Sequence, residues 1–188
     1  MIVLVTPSGH RAFTIADMDR MVEAGILDAD ERIELIAGEL VPMSAKGSRH
    51  EVIKGAINLR WGRLCPADCG FIPETGLRPD PHNCLEPDFI VFSRAKRLAD
   101  LRGPDVLLAI EVADSSLDYD LRRKPLVYAI FGVRELWVID AARRIVHRHA
   151  DAGPDGYSDV RVYASHERLT PRDAPEAFAF VLDDLEEL

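Results

Sequence analysis

The sequence predicts a mixed α/β fold: a central mixed β-sheet flanked by helices, preceded by a helix and a hairpin. Three observations carry this. Helical periodicity occurs twice, over residues 47–64 and 118–131. Between these stretches lie FIPETGL, PDFIVF and VLLAIEV, short runs with strand character. VLLAIEV is almost continuously apolar, as befits a central strand covered on both faces. The order helix, strands, helix, strands then puts helices on both sides of one sheet.

The elements follow in order. Thr14 before IADMDRMVEAG reads as an N-cap, Asp17 sits near the positive end of the helix dipole, and Gly25 closes the helix. ERIELIAGELVPM alternates apolar and polar residues around Ala37-Gly38, a hairpin pattern. Ile53, Ile57, Trp61 and Leu64 recur at three- and four-residue steps, with His50 opening the same stripe. A loop rich in Cys, Pro and Asp separates this helix from the strands. After the second helical stretch, closed by Gly132, RELWVID, RRIVHRH and YSDVRVY read as strands, with residues 140–143 as the first turn. AFAFVLDDLEEL reads as a strand leading into a short acidic helix.

A chain of 188 residues fits one domain, and no repeat or long linker divides it. No apolar run reaches the length of a membrane span, and the N-terminus lacks the charge and cleavage pattern of a signal peptide. Three cysteines cannot all pair internally, so reduced thiols and a cytoplasmic location are expected. The net charge of −9 argues against a protein that coats nucleic acid. Six of those charges lie in the acidic tail 173–188, which carries no basic residue, leaving −3 for the rest.

Asp88 and Glu111 are the most informative residues. Each lies in an otherwise apolar strand, where a lone buried carboxylate costs several kcal/mol unless paired or bound to a cation. Asp88 shares a strand face with Ile90 and Phe92, and Glu111 shares one with Leu107 and Ala109. On neighbouring strands the two could converge on one hard cation, an arrangement that suits Mg2+. Composition alone fits equally well a carboxylate at a strand end in water or paired with an Arg.

The succession ELIAGEL, a His shortly after a Met, EPDFIVF, AIEVADSS and DLRRKPLVYAIFGVRELWVID resembles the Uma-type putative restriction endonuclease family, formerly a domain of unknown function, within the PD-(D/E)XK nuclease superfamily. The resemblance spans about residues 13–140. It implies a restriction-endonuclease-like core, Asp88 and Glu111 as metal ligands, and the carbonyl of Val112 as a third. The superfamily's Lys normally stands two residues after the Glu, where this chain has Ala113; in the Uma-type family it comes from the following helix, and Lys124 matches that place. Pro125 follows directly, so the helix either kinks there or begins there with proline in its first turn. Asp114-Ser115 also stands where relatives often have Ser-Pro.

Glu34 and His50 match positions the family holds near its site: Glu34 as a further ligand or an acceptor behind the ligands, His50 on phosphate or holding Glu34, although a single His on an apolar helix face is more often a satisfied core residue. Asp120, Lys124 and Tyr128 recur every four residues and would line one helical stripe; this fits equally a Lys held in place by neighbouring polar groups and an exposed Asp–Lys pair. Arg49, Lys54, Arg60 and Arg63 tint the long helix positive, as a phosphate contact or as solvated surface. Cys65, Cys69, His82 and Cys84 form a rival zinc set, though their spacing matches no familiar finger.

The expected function is a Mg2+-dependent endonuclease acting on DNA, with Mn2+ as an alternative ion and a homodimer as its assembly. Two rivals remain: a catalytically weak nuclease fold used for binding or dimer assembly, and a hydrolase of small phosphoesters. Ala113 and the acidic charge favour the first rival.

Overall fold

Local sequence rules set the first elements of the computed structural model, which describes residues 9, 11–114 and 116–185. Thr14 caps α1 (Ile15–Glu23) in a reciprocal capping box with Asp17. Gly25 follows at φ 68°, the left-handed conformation that ends helices. Strands β1 (Ile33–Ile36) and β2 (Glu39–Pro42) pair antiparallel through the turn Ala37-Gly38. Both turn residues have positive φ, as a two-residue hairpin turn requires.

The chain divides into two compact units, Met1–Ser44 with Gly76–Glu86, and Ala45–Thr75 with Pro87–Leu188. The smaller holds α1 and, among the described residues, a four-stranded sheet in the order β2-β1-β5-β4, where β4 is Leu77–Asp80 and β5 is Asn83–Leu85. Its strands bury Leu35, Ile36, Leu77 and Leu85.

The larger unit holds α2 (Ser48–Leu64) and a sheet of β3 (Cys69–Pro73), β6 (Phe89–Ser93), β7 (Val106–Ala113), β8 (Glu135–Asp140), β9 (Ile145–Gly153) and β10 (Gly156–Ala164). The spatial order is β10-β9-β8-β7-β6-β3. Among the described residues only β7 and β8 run parallel, joined by a crossover that carries α3 (Leu117–Arg122) and α4 (Lys124–Ile130). A small ladder of β11 (Arg168–Leu169) and β12 (Phe180–Val181) completes it. The mixed α/β fold with a central mixed sheet stands as expected.

One face of the large sheet carries the core. Ile53, Ile57 and Trp61 of α2 pack on Phe89, Val91, Leu108, Ile110, Trp137 and Ile139. Trp61 makes edge contacts with Phe71, Phe89 and Phe178, and its indole N–H donates to the Phe178 carbonyl at 3.1 Å. On the other face α4 packs against β9 and β10.

Three expectations change. FIPETGL is not one strand but the end of β3 and a break before β4. Leu64 is exposed, because the helical stripe has rotated off the core by the last turn. The 118–131 stretch is two helices meeting at Arg123, with Pro125 in the first turn of α4. Proline lacks the N–H that a continuous helix would need, whereas the first turn leaves that N–H without a helical acceptor anyway. At the C-terminus the described residues form a short strand and 3-10 turns; Glu186 to Leu188, the end of the expected acidic helix, lie outside the described residues, as do residues 1–8, His10 and Ser115.

Candidate active site

β6 and β7 pair antiparallel with Phe89 opposite Ile110, so one further step in register sets Asp88 opposite Glu111. Both carboxylates are more than nine-tenths buried. Alternation sends Leu108, Ile110 and Val112 into the α2 core and leaves Glu111 on the face that carries α4.

Asp88 is held on three sides. The backbone N–H of Val112 donates to Oδ2 at 2.8 Å, His50 Nε2 lies 2.9 Å from Oδ1, and Lys46 Nζ lies 3.6 Å from Oδ1. Burial pushes the carboxyl pKa up. The His50 hydrogen bond and charge, the Val112 N–H and the Lys46 charge together outweigh it, so the net shift is downward and Asp88 stays an anion.

Glu111 meets a different set. Lys124 Nζ is 3.1 Å from Oε1 and the Tyr128 hydroxyl donates to the same oxygen at 2.7 Å. Asp120 Oδ1 lies 3.3 Å from Lys124 Nζ, and the Ser116 hydroxyl donates to the Asp120 carboxylate. Asp120, Lys124 and Tyr128 therefore come together although α3 and α4 are separate helices. A lysine buried this deeply needs such anions, since an unpaired buried ammonium is expensive.

Two site residues escaped the sequence reading. Lys46, just before the start of α2, sits between Asp88 and Glu74, and Lys54 binds the same Glu74 at 2.8 Å. Neither position stands out in the sequence: Lys46 is an ordinary loop lysine and Glu74 an ordinary residue at a strand end. Only the fold brings them to Asp88.

His50 rests on Asp88. Glu34 belongs to the smaller unit, where it is buried and accepts the Glu86 N–H at 2.9 Å. Of the basic residues on α2, Arg49 binds Asp114, Lys54 binds Glu51 and Glu74, and Arg60 donates to the Ala179 carbonyl. These side chains are tied internally, a structural role more than a phosphate track. Glu135 and Trp137, at the end of the DLRRKPLVYAIFGVRELWVID stretch, serve the structure. Glu135 is fully buried and accepts from Trp137 Nε1, Arg148 Nε and the Arg172 N–H.

Cys65 and Cys69 lie in the larger unit, His82 and Cys84 in the smaller. All three thiols are free, and burial pushes each thiol pKa up. His82 Nδ1 is tied to the Phe13 carbonyl at 2.7 Å. Among the described residues no group of three or more His, Cys, Asp and Glu side chains stands in metal-holding geometry. Zinc, which asks for a closed set of four such ligands, has no such set there. A hard cation that takes one or two carboxylates and completes its shell with carbonyl, water and phosphate oxygens fits the donor chemistry of Asp88, Glu111 and the Val112 carbonyl.

Comparison with known proteins bears on the fold and the family. A putative nuclease belonging to DUF820 from Anabaena variabilis superimposes with a TM-score of 0.67 at 14% identity, over 92% of this chain and 97% of its own. That likeness establishes a shared fold. The type IIG restriction endonuclease BpuSI aligns over 61% of this chain and 14% of its own, with 13% identity and a TM-score of 0.39. No curated protein sequence matches significantly. The family match runs well past residue 140, so its span takes in β9 to β12. The chain is a member of the Uma2 family, described as putative restriction endonuclease, which matches residues 16–183.

Proposed function

We propose that this protein is a Mg2+-dependent endonuclease that hydrolyses phosphodiester bonds in DNA, with Mn2+ able to substitute. The observation that carries the reading is the contact of Lys124 with Glu111 opposite Asp88: an ammonium, two buried carboxylates and a strand carbonyl where β6 begins and β7 ends. Asp88 and Glu111, with the Val112 carbonyl, would hold the ion. When bound, it would lower the pKa of a coordinated water and neutralise charge on the scissile phosphate.

The chain's own groups then divide the work. His50 and the Val112 N–H fix the Asp88 carboxylate, and Tyr128 fixes Glu111, so that both oxygens are oriented before substrate arrives. Lys124 orients the attacking water and stabilises negative charge that grows on the phosphoryl oxygens. Asp120, 3.3 Å from its Nζ, holds that lysine in place. In-line attack leaves a 5′-phosphate and a 3′-hydroxyl. Among the described residues no helix is long and apolar enough to cross a membrane, and a cytoplasmic location accords with the three free thiols.

Conversion of supercoiled plasmid to nicked and linear forms in Mg2+ tests this reading. Asp88→Ala and Glu111→Ala should each abolish it. Cleavage that persists in both variants belongs to another protein.

One observation favours a second reading, a nuclease fold used for binding. Lys46, His50, Lys124 and Tyr128 already compensate both carboxylates, and Ala113 occupies the usual lysine position. A protein that neither binds Mn2+ in a calorimetric titration nor cleaves DNA would make it the better one.

A further inference from the structure

β10 is an edge strand nine residues long, and among the described residues its ladder partner is β9 alone. Edge strands usually carry a bulge, a proline or a run of charge that blocks further pairing. β10 has no proline, and its central side chains are Asp159, Val160, Arg161 and Val162. Val160 and Val162 are 52% and 57% exposed. Their register with His149 and His147, and through these with Leu136 and Val138, places them on the sheet face that carries α4. α4 packs on β9 and β10 and exposes Leu126 and Ile130, four residues apart on one helical stripe. Four large exposed apolar side chains thus belong to one edge of the sheet, the kind of surface that marks an interaction site.

We infer that this edge pairs with a second copy of the chain, β10 against β10 antiparallel about a two-fold axis at Val160, to form one continuous sheet across the dimer. The charge pattern selects both the occupant and the register. A two-fold normal to the sheet keeps each side chain on its own face, so the axis must fall on a residue. Centred on Arg161 or on Asp159, it sets like charges directly opposite each other, which is unfavourable. Centred on Val160, it sets Asp159 of each copy opposite Arg161 of the other, with Val160 against Val160 and Tyr157 against Tyr163. Asp159 and Arg161 already attract within one strand, Arg161 Nε lying 2.9 Å from Asp159 Oδ1. The dimer exchanges two such contacts, one per copy, for two equivalent ones across the axis while covering Val160 and Val162. This surface lies wholly in the larger unit, and it stands whether or not the acidic pair turns over DNA.

Sedimentation velocity of the full chain tests it. The wild type should sediment at twice the 21.0 kDa chain mass. Arg161→Asp places Asp opposite Asp at both pairs, and Asp159→Arg places Arg opposite Arg, so each variant alone should be monomeric. Mixed in equal amounts, the two restore opposite charges at both positions and should form a heterodimer, detected with one partner carrying a size tag. Asp159→Arg also brings a charge towards Arg148, so Val160→Lys provides a check that avoids this: it sets two ammonium groups on the axis and should yield a folded monomer by circular dichroism. A wild type that sediments at the chain mass at every concentration overturns the inference. So does a dimer that survives both Arg161→Asp and Val160→Lys, which would place the contact elsewhere.

Discussion

The backbone N–H of Val112 donates to Asp88 Oδ2 at 2.8 Å, so the strand that carries Glu111 also fixes the orientation of the opposite carboxylate. The two acids are thus one mechanical unit. Sheet pairing itself sets the spacing between their backbones, and the same strands anchor it in the core through Phe89, Val91, Leu108, Ile110 and Val112.

Lys46 competes for Asp88 with any cation that arrives there. Its ammonium lies 3.6 Å from Oδ1 and is also bound by Glu74. Removing one unit charge a few ångström from a divalent ion should tighten its binding by about tenfold or more at a surface-like dielectric. Lys46→Met should therefore raise Mn2+ affinity in a calorimetric titration, and Glu74→Gln, which frees Lys46 to lean on Asp88, should lower it. Equal affinities in all three proteins would show that Lys46 does not face the ion.

Lys124 and Tyr128 both contact Glu111 Oε1 but should differ in kind. Tyr128→Phe removes one buried hydrogen bond, costing about 1 kcal/mol of stability. Lys124→Met leaves Glu111 and Asp120 as two buried acids without their shared cation, a loss of about 3–5 kcal/mol without added metal. Plasmid nicking should fall by about 10² to 10⁴ for Lys124→Met and far less for Tyr128→Phe. Equal losses of activity would mean that Lys124 only positions Glu111.

Much of this was legible in the sequence because the signals are local. Thr14 with Asp17, Ala37-Gly38 and the apolar run of β7 each fix a backbone state within a few residues. Asp88 and Glu111 stood out because a carboxylate inside an apolar strand needs an explanation. What depends on chain reversal was not legible. Lys46 and Glu74 meet only because α2 and β3 return to the start of β6, and no periodicity encodes that. The split at Arg123 was a close competition: helical spacing continues through it, and Pro125 decides where the second helix begins.

Acid pH should weaken the fold through His149. Its ring is buried, Nε2 has no hydrogen-bond partner among the described residues, and it lies near His147. Burial first, then the His147 charge, pushes its pKa down from 6.5 to about 4. The sign follows from proton uptake. Above the unfolded value of 6.5 both states are neutral and stability is full. As pH falls from there towards about 4, the unfolded chain binds a proton that the folded ring refuses, and stability is lost by on the order of 3 kcal/mol in all. His147, also pushed down by burial, adds to the same slope. His149→Leu should flatten the profile over that window, read as the urea midpoint at a series of pH values between the two. A variant whose midpoint falls as steeply as the wild type's would assign the acid sensitivity to other groups, Asp88 excepted, since its depressed pKa releases stability only at pH below the ordinary carboxylate range.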